Sequence, residues 1–169
     1  MGAKAKVLEL NKKKRKPKVR IETVQAKHVY DCFRLLESSI RNTKSGIHLD
    51  EEEPDNVRHF MYNYILNENF FGLVAKIGRK PVGQVLGRVE YRPVGRPRKY
   101  FNIWNFYISP EFRNTGVALK LIKELKYNLR RNGIMFWEAF ANEGLAESLD
   151  RKSRLLGTEC KQVLIGGKV

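Results

Sequence analysis

Phe106-Tyr107-Ile108-Ser109-Pro110-Glu111-Phe112-Arg113-Asn114-Thr115-Gly116-Val117-Ala118-Leu119 carries an apolar strand pattern through a short turn into a helical one. Ser109-Pro110 ends the strand, and Leu121, Ile122, Leu125 and Leu129 recur beyond the turn at helical spacing. Such a turn aims several unpaired backbone N–H groups at one point, and the helix dipole adds partial positive charge there. That combination suits a pyrophosphate. Gly116 lets the backbone approach a phosphate without a Cβ in the way, Ala118 keeps the first helical turn small, and Arg113 can add charge-assisted hydrogen bonds. One glycine between a strand and a helix fits an ordinary connection equally well, so the surrounding chain has to decide.

Upstream, the alternation Val19-Arg20-Ile21-Glu22-Thr23-Val24 predicts a half-buried first strand. Residues 27–40 place Val29, Phe33, Leu36 and Ile40 on one helical face, and Asp55 can cap a second helix carrying Val57, Phe60, Met61, Tyr64 and Ile65. Phe70 to Ile77 and Val82 to Val89 form an antiparallel hairpin punctuated at Gly78-Arg79-Lys80-Pro81, and Tyr100 to Ile108 is the strand that leads into the turn. Downstream, a helix from Val117 to Asn132 stops at Gly133. Ile134 to Ala141, Glu143 to Leu156 and Glu159 to Ile165 complete the order as strand, helix and strand.

A chain of 169 residues with 42% hydrophobic content supports one domain plus a tail. Residues 1–20 hold nine Lys or Arg against Glu9 alone, which gives 9 − 1 = +8 of the net +15. Residues 1–18 therefore read as a flexible basic arm, because like charges repel and nothing apolar offsets the ordering entropy. Residues 4–20 suit a nucleic acid, an acidic protein or a localisation receptor as well as plain solubilisation, and the domain proper covers 19–169. No apolar run approaches the ~20 residues of a membrane span, so the expectation is a soluble, cytoplasmic protein with no membrane partner. Cys32 and Cys160 lie far apart and show no metal-ligand spacing, so both read as buried thiols and no metal is expected. The connector Arg92-Pro93-Val94-Gly95-Arg96-Pro97-Arg98-Lys99 matches half of a minor-groove hook and reads better as a stiff basic loop.

The stretch quoted at the outset resembles the GNAT superfamily of acetyl-CoA-dependent N-acetyltransferases, whose pyrophosphate loop is Arg/Gln-x-x-Gly-x-Gly/Ala; Arg113, Gly116 and Ala118 satisfy it. The resemblance extends by element order over roughly residues 19–166. It implies an α+β fold with a mixed, mostly antiparallel twisted sheet of six or seven strands flanked by about four helices. It also implies acetyl-CoA as co-substrate and direct transfer to an amine acceptor. The cofactor would contact Phe106, Tyr107 and Ile108 along the strand, Arg113, Asn114, Thr115, Gly116, Val117 and Ala118 at the turn, and Asn142 after the next strand.

The sequence departs from the family at the reacting centre. A Glu on the fourth strand often serves as base, and Trp104 or Asn105 stands there instead; the Tyr often used as acid falls at Ser153 or Leu149. Asn105 and Ser153, each able to hold a water, and Glu138 on strand five are the candidate catalytic residues, with Glu90 and His48 as further substitutes. The acidic run Asp50-Glu51-Glu52-Glu53 can attract a cationic acceptor or simply begin a helix. An alternative follows from the departures: a GNAT-like structural or assembly protein, nucleoprotein- or virion-associated, or a nucleic-acid-binding protein working through its arm.

Overall fold

Apolar residues on alternate sides of five segments join them into one sheet with a hydrophobic layer on each face. The computed structural model describes residues 18–42, 53–94 and 99–139. Strands β1 (Val19–Thr23), β2 (Phe70–Ile77), β3 (Lys80–Tyr91) and β4 (Lys99–Ile108) are antiparallel in succession, and β5 (Trp137–Ala139) lies parallel to β4. Sheet order is chain order, β1-β2-β3-β4-β5. Helices α1 (Val29–Asn42) and α2 (Glu53–Leu66) connect β1 to β2, and α3 (Val117–Arg131) connects β4 to β5.

The α3 side of the sheet is the larger core. Leu121, Ile122, Leu125 and Leu129 pack on Leu73, Ala75, Val85, Phe101 and Ile103, as the helical spacing predicts. On the other side Cys32, Leu35 and Leu36 of α1 and Met61 and Ile65 of α2 cover Val74, Leu86 and Tyr107. Burial raises the Cys32 thiol to about 12, so it stays protonated inside this layer.

Several boundaries correct the sequence reading. β3 begins at Lys80, not Val82, because Gly78 takes φ +61° and the hairpin closes over Gly78-Arg79 alone, pairing Ile77 with Lys80. Pro81 then sits beside a register irregularity at Ala75/Lys76, where a missing N–H is tolerated. α1 starts at Val29 after one 3-10 turn at Ala26–His28 and runs to Asn42. Asp55 does not cap α2; the helix starts at Glu53, and Asp55 pairs with Arg58 one turn on at 3.3 Å. Phe60 does not join the α2 core face: it is 55% exposed, with Trp104 against it edge-on. Five strands and three helices are described, against six or seven and about four expected; the predicted last helix and strand lie outside the described residues.

One irregularity shapes the site. Leu86 pairs with Asn105 but the adjacent Gly87 pairs with Ile103, so Trp104 is an extra residue in β4. Side-chain parity shows the insertion too: Phe101 and Ile103 face α3 before it, and Phe106 and Ile108 face α3 after it. Gly87 lies opposite, where a Cβ would come within 2.2 Å of the Asn102 carbonyl oxygen and 2.6 Å of the Phe101 ring. Only glycine fits beside the bulge.

Candidate active site

Beyond β4 the chain makes one 3-10 turn at Pro110–Phe112, and then two residues in left-handed conformation, Asn114 at φ +63° and Gly116 at φ +88°, swing it into α3. Gly116 is the N-cap residue, and no side chain caps the helix. The turn closes on itself through Phe112 N–H to the Ser109 carbonyl (2.9 Å) and Arg113 N–H to the Pro110 carbonyl (3.2 Å). Thr115 Oγ1 donates to the Phe112 carbonyl at 2.6 Å. Among the described residues, the N–H groups of Asn114, Gly116, Val117, Ala118 and Leu119 have no acceptor, and the next amide, Lys120, returns to the Gly116 carbonyl at 3.1 Å. These are the orphan donors that a helix N-terminus leaves for a side chain, water or an anion.

Space at the turn suits an anion as well. A Cβ built on Gly116 meets no atom within 4 Å, so its glycine is required by the backbone angle and not by crowding inside the protein. Arg113 Nε donates to the Ile108 carbonyl at 3.3 Å, which ties the guanidinium to the end of β4. Lys80 Nζ bonds Glu111 Oε1 at 3.0 Å and lies over the Phe112 ring. Glu111 is held below the ordinary carboxylate range, first by a hydrogen bond from its own backbone amide and then by Lys80.

At the bulge, polar side chains sit where the neighbouring residues are apolar. Gln84 is fully buried, and its Nε2 donates to Asn105 Oδ1 at 2.8 Å. Gln84 Oε1 and the Trp104 indole Nε1 are buried without a partner among the described residues. With Oδ1 engaged by Gln84, Asn105 is left with its Nδ2 to offer, as a donor. Two residues on, the Tyr107 hydroxyl accepts a hydrogen bond from Asn42 Nδ2 at 3.2 Å, fastening the end of α1 to β4. Burial raises the Tyr107 pKa, so the phenol keeps its proton at neutral pH.

The carboxylates proposed as substitutes are already engaged. Glu90 accepts from Tyr100 Oη (2.6 Å), Asn102 Nδ2 (3.0 Å) and Arg88 Nε (2.6 Å). The Tyr100 hydroxyl is the largest of the influences that lower its pKa, so Glu90 is a fixed anion. Glu138 is bound by Arg92 Nη2, and the same guanidinium lies 4.5 Å over the Tyr100 ring. It sits opposite Asn102 across the parallel β4–β5 pairing. Arg92 is thus committed to Glu138 and the Tyr100 ring, and residues 95–98 of the basic connector lie outside the described residues.

The structure therefore gathers Arg113 to Ala118 at one turn and sets Asn105 a short way back along β4, with Phe106, Tyr107 and Ile108 between them. It keeps Glu138 apart, on β5 and paired with Arg92. Asn142, Ser153, Leu149, His48 and Asp50 to Glu52 lie outside the described residues. Gln84 was missed by sequence reasoning. Its signal was a lone amide inside the run Val82-Gly83-Gln84-Val85-Leu86, which only a buried polar partner makes tolerable. Two clefts, of about 250 and 450 Å³, are lined by residues such as Asn69, Phe70 and Val89 and by none of the turn residues. None of the residues with an unpartnered buried side-chain polar atom among the described residues, Gln84, Asn102 and Trp104, lines those clefts.

Comparison with known proteins bears on the family and the fold. A model of the acetyltransferase (GNAT) family matches residues 32–148. No curated protein matches the sequence. Among solved structures, an aminoglycoside acetyltransferase from an uncultured soil metagenomic sample, in complex with trehalose, is similar at TM-score 0.69 and 18% identity, covering 89% of this chain and 95% of that one. A predicted acetyltransferase with acetyl-CoA from Clostridium acetobutylicum is similar at TM-score 0.70 and 13% identity, over 89% and 96% of the two chains. A ribosomal-protein-alanine N-acetyltransferase from Brucella melitensis is similar at TM-score 0.65 and 14% identity, over 90% and 100%. At these identities the likeness is one of fold. No helix among the described residues is long and apolar enough to cross a membrane.

Proposed function

The chain belongs to the GNAT acetyltransferase family, and from that premise we propose that it transfers the acetyl group of acetyl-CoA directly to an amine. The observation that carries the reading is the set of five unpartnered backbone N–H groups at Asn114 and Gly116 to Leu119, opening on free space at Gly116. Those donors, with Arg113, would hold a pyrophosphate, and Phe106 to Ile108 would lie along the arm that leads to the thioester. When bound, the cofactor supplies an activated acyl carbon. The protein's own residues hold it, orient it and exclude water.

Trp104 or Asn105 stands where the family often has a carboxylate, and neither an indole nor an amide accepts a proton from an ammonium ion. The free Nδ2 of Asn105 is a donor, suited to an oxygen of the substrates and not to deprotonation. Gln84 fixes which end of the amide faces outward. Tyr107 and Glu90, one held protonated and the other ionised, do not change state near neutral pH. In this reading the amine arrives as its free base, and kcat/KM should climb with pH until the acceptor's own pKa, with no inflection near neutral pH from Glu90 or Tyr107. Asn142 and Ser153 complete the proposal, as a cofactor contact and a water-holding hydroxyl.

Calorimetric titration of the full chain with acetyl-CoA tests the reading. Saturable one-to-one binding, accompanied by release of the CoA thiol when primary amines are added, is expected. Absence of binding at millimolar acetyl-CoA overturns it.

A further inference from the structure

The charges of the three helices are unevenly divided between the two faces of the sheet. In α1, Asp31 and Glu37 offset Arg34 and Arg41, 2 − 2 = 0; in α2, Glu53 and Asp55 exceed Arg58, 1 − 2 = −1. In α3, Lys120, Lys123, Lys126, Arg130 and Arg131 face Glu124 alone, 5 − 1 = +4. Elsewhere among the described residues Glu22, Asp31, Glu37, Glu90, Glu111 and Glu138 each meet a basic side chain. Glu124 instead accepts from Asn128 Nδ2 at 3.0 Å. Among the described residues no carboxylate pairs with Lys120, Lys123, Arg130 or Arg131.

These four cations share a side. At about 100° per residue, Lys120, Lys123, Tyr127, Arg130 and Arg131 fall within an arc of roughly 100°, with no acid in it. The stripe is about 16 Å long at ~1.5 Å per residue, which matches about five phosphates along one strand of a duplex at ~3.4 Å each. Its far end is distinct from the phosphate turn: Arg130 lies about 21 Å along the helix from Gly116. Arg131 lies 5.6 Å over the exposed Tyr127 ring, so this end presents a flat cationic surface.

We propose that the solvent face of α3 binds the phosphate backbone of duplex nucleic acid, without reading its sequence. A membrane surface fits less well, because the apolar face that would enter a bilayer interface is spent on the protein core. A single strand fits less well too: stacking platforms carry such binding, and the stripe's one aromatic, Tyr127, is already covered by Arg131. This inference does not rest on acetyl transfer.

Fluorescence anisotropy of a labelled 20-base-pair DNA of mixed sequence, titrated with the full chain at several salt concentrations, tests it. The basic N-terminal residues are present in every variant, so their contribution cancels. Replacing Lys120, Lys123, Arg130 and Arg131 by Gln is expected to flatten the slope of log K against log salt by about 3.6, at ~0.9 for each phosphate no longer neutralised. The double variant Arg130→Gln/Arg131→Gln, far from the turn, is expected to flatten it by about 1.8 while acetyl-CoA affinity is unchanged. It carries the test if the fourfold variant fails to fold. An unchanged slope in the double variant overturns the proposal, as does absence of binding at 50 mM salt. Tighter binding to phosphatidylserine vesicles than to the duplex also overturns it.

Discussion

The two halves of β4 treat their polar groups in opposite ways. Around its first half, Glu90 takes three donors, Arg92 joins Glu138 and stacks on Tyr100, and both carboxylates are satisfied. One amide oxygen, Asn102 Oδ1, goes unpaired there. At and past the bulge, Gln84 Oε1 and the Trp104 indole have no partner among the described residues, and five consecutive or near-consecutive backbone donors are left without an acceptor among them. A saturated network rigidifies a sheet edge; unsatisfied groups cost stability and persist where something else completes them. On the proposed reading the second half is the ligand side, and the first half is its frame.

The largest effect should come from the turn. Gly116→Val forces a β-branched residue to φ near +88°, at about 1–2 kcal/mol for the left-handed conformation, and puts methyl groups into the open space beside the N–H donors. Acetyl-CoA affinity measured by calorimetry should fall at least tenfold, while the thermal midpoint falls by only a few degrees. Equal affinity in the variant would remove the turn from the site.

Next comes Gln84→Leu, which erases the donor that fixes Asn105. Loss of that orientation should lower kcat roughly tenfold, about 1.4 kcal/mol in the barrier, with KM for acetyl-CoA unchanged. Stability should barely move, since an unpaired buried oxygen is removed along with the bond. A fall in the thermal midpoint with kcat intact would make Gln84 a packing residue only.

In the first half, Glu90→Gln tests the frame. Glu90 has a folded pKa below its ordinary value of 4.5, so its contribution to stability is present above that value and is lost as pH falls through the folded one. Thermal midpoints followed from pH 6 downward should show this acid-side loss in the wild type and a shallower one in the variant. The smallest effect is expected at the exposed Lys80–Glu111 pair beside the turn. Lys80→Ala should leave the midpoint and acetyl-CoA affinity unchanged within error.

The same contrast explains what could be read in advance. Periodicity carried the described helices and strands because burial repeats every 3.6 or 2 residues, and the turn showed itself through Pro110, Gly116 and the apolar segments around it. The bulge did not, since an inserted residue changes side-chain parity without altering composition; Trp104 and Asn105 read simply as two strand residues. Glu138 and Glu90 looked available because the sequence gives no sign of Arg92, Tyr100 and Arg88 reaching them across the sheet. Asp55 read as a cap because aspartate is a favoured N-cap residue, whereas Pro54, which suits the first turn of a helix, fits the earlier start at Glu53.

Sheet order following chain order bears on how the molecule is made. β2, β3 and β4 are linked by short connections, so their pairings close small loops and cost little chain entropy. β1 meets β2 only after α1 and α2 have been bridged, and β5 reaches β4 only after α3. The central meander is thus the natural folding nucleus, and mutations in it should slow folding, whereas damage to β1 should mainly speed unfolding. The turn at Arg113 to Ala118 lies just past the last strand of that nucleus, so the proposed binding site would be set in place by the part of the chain that organises first.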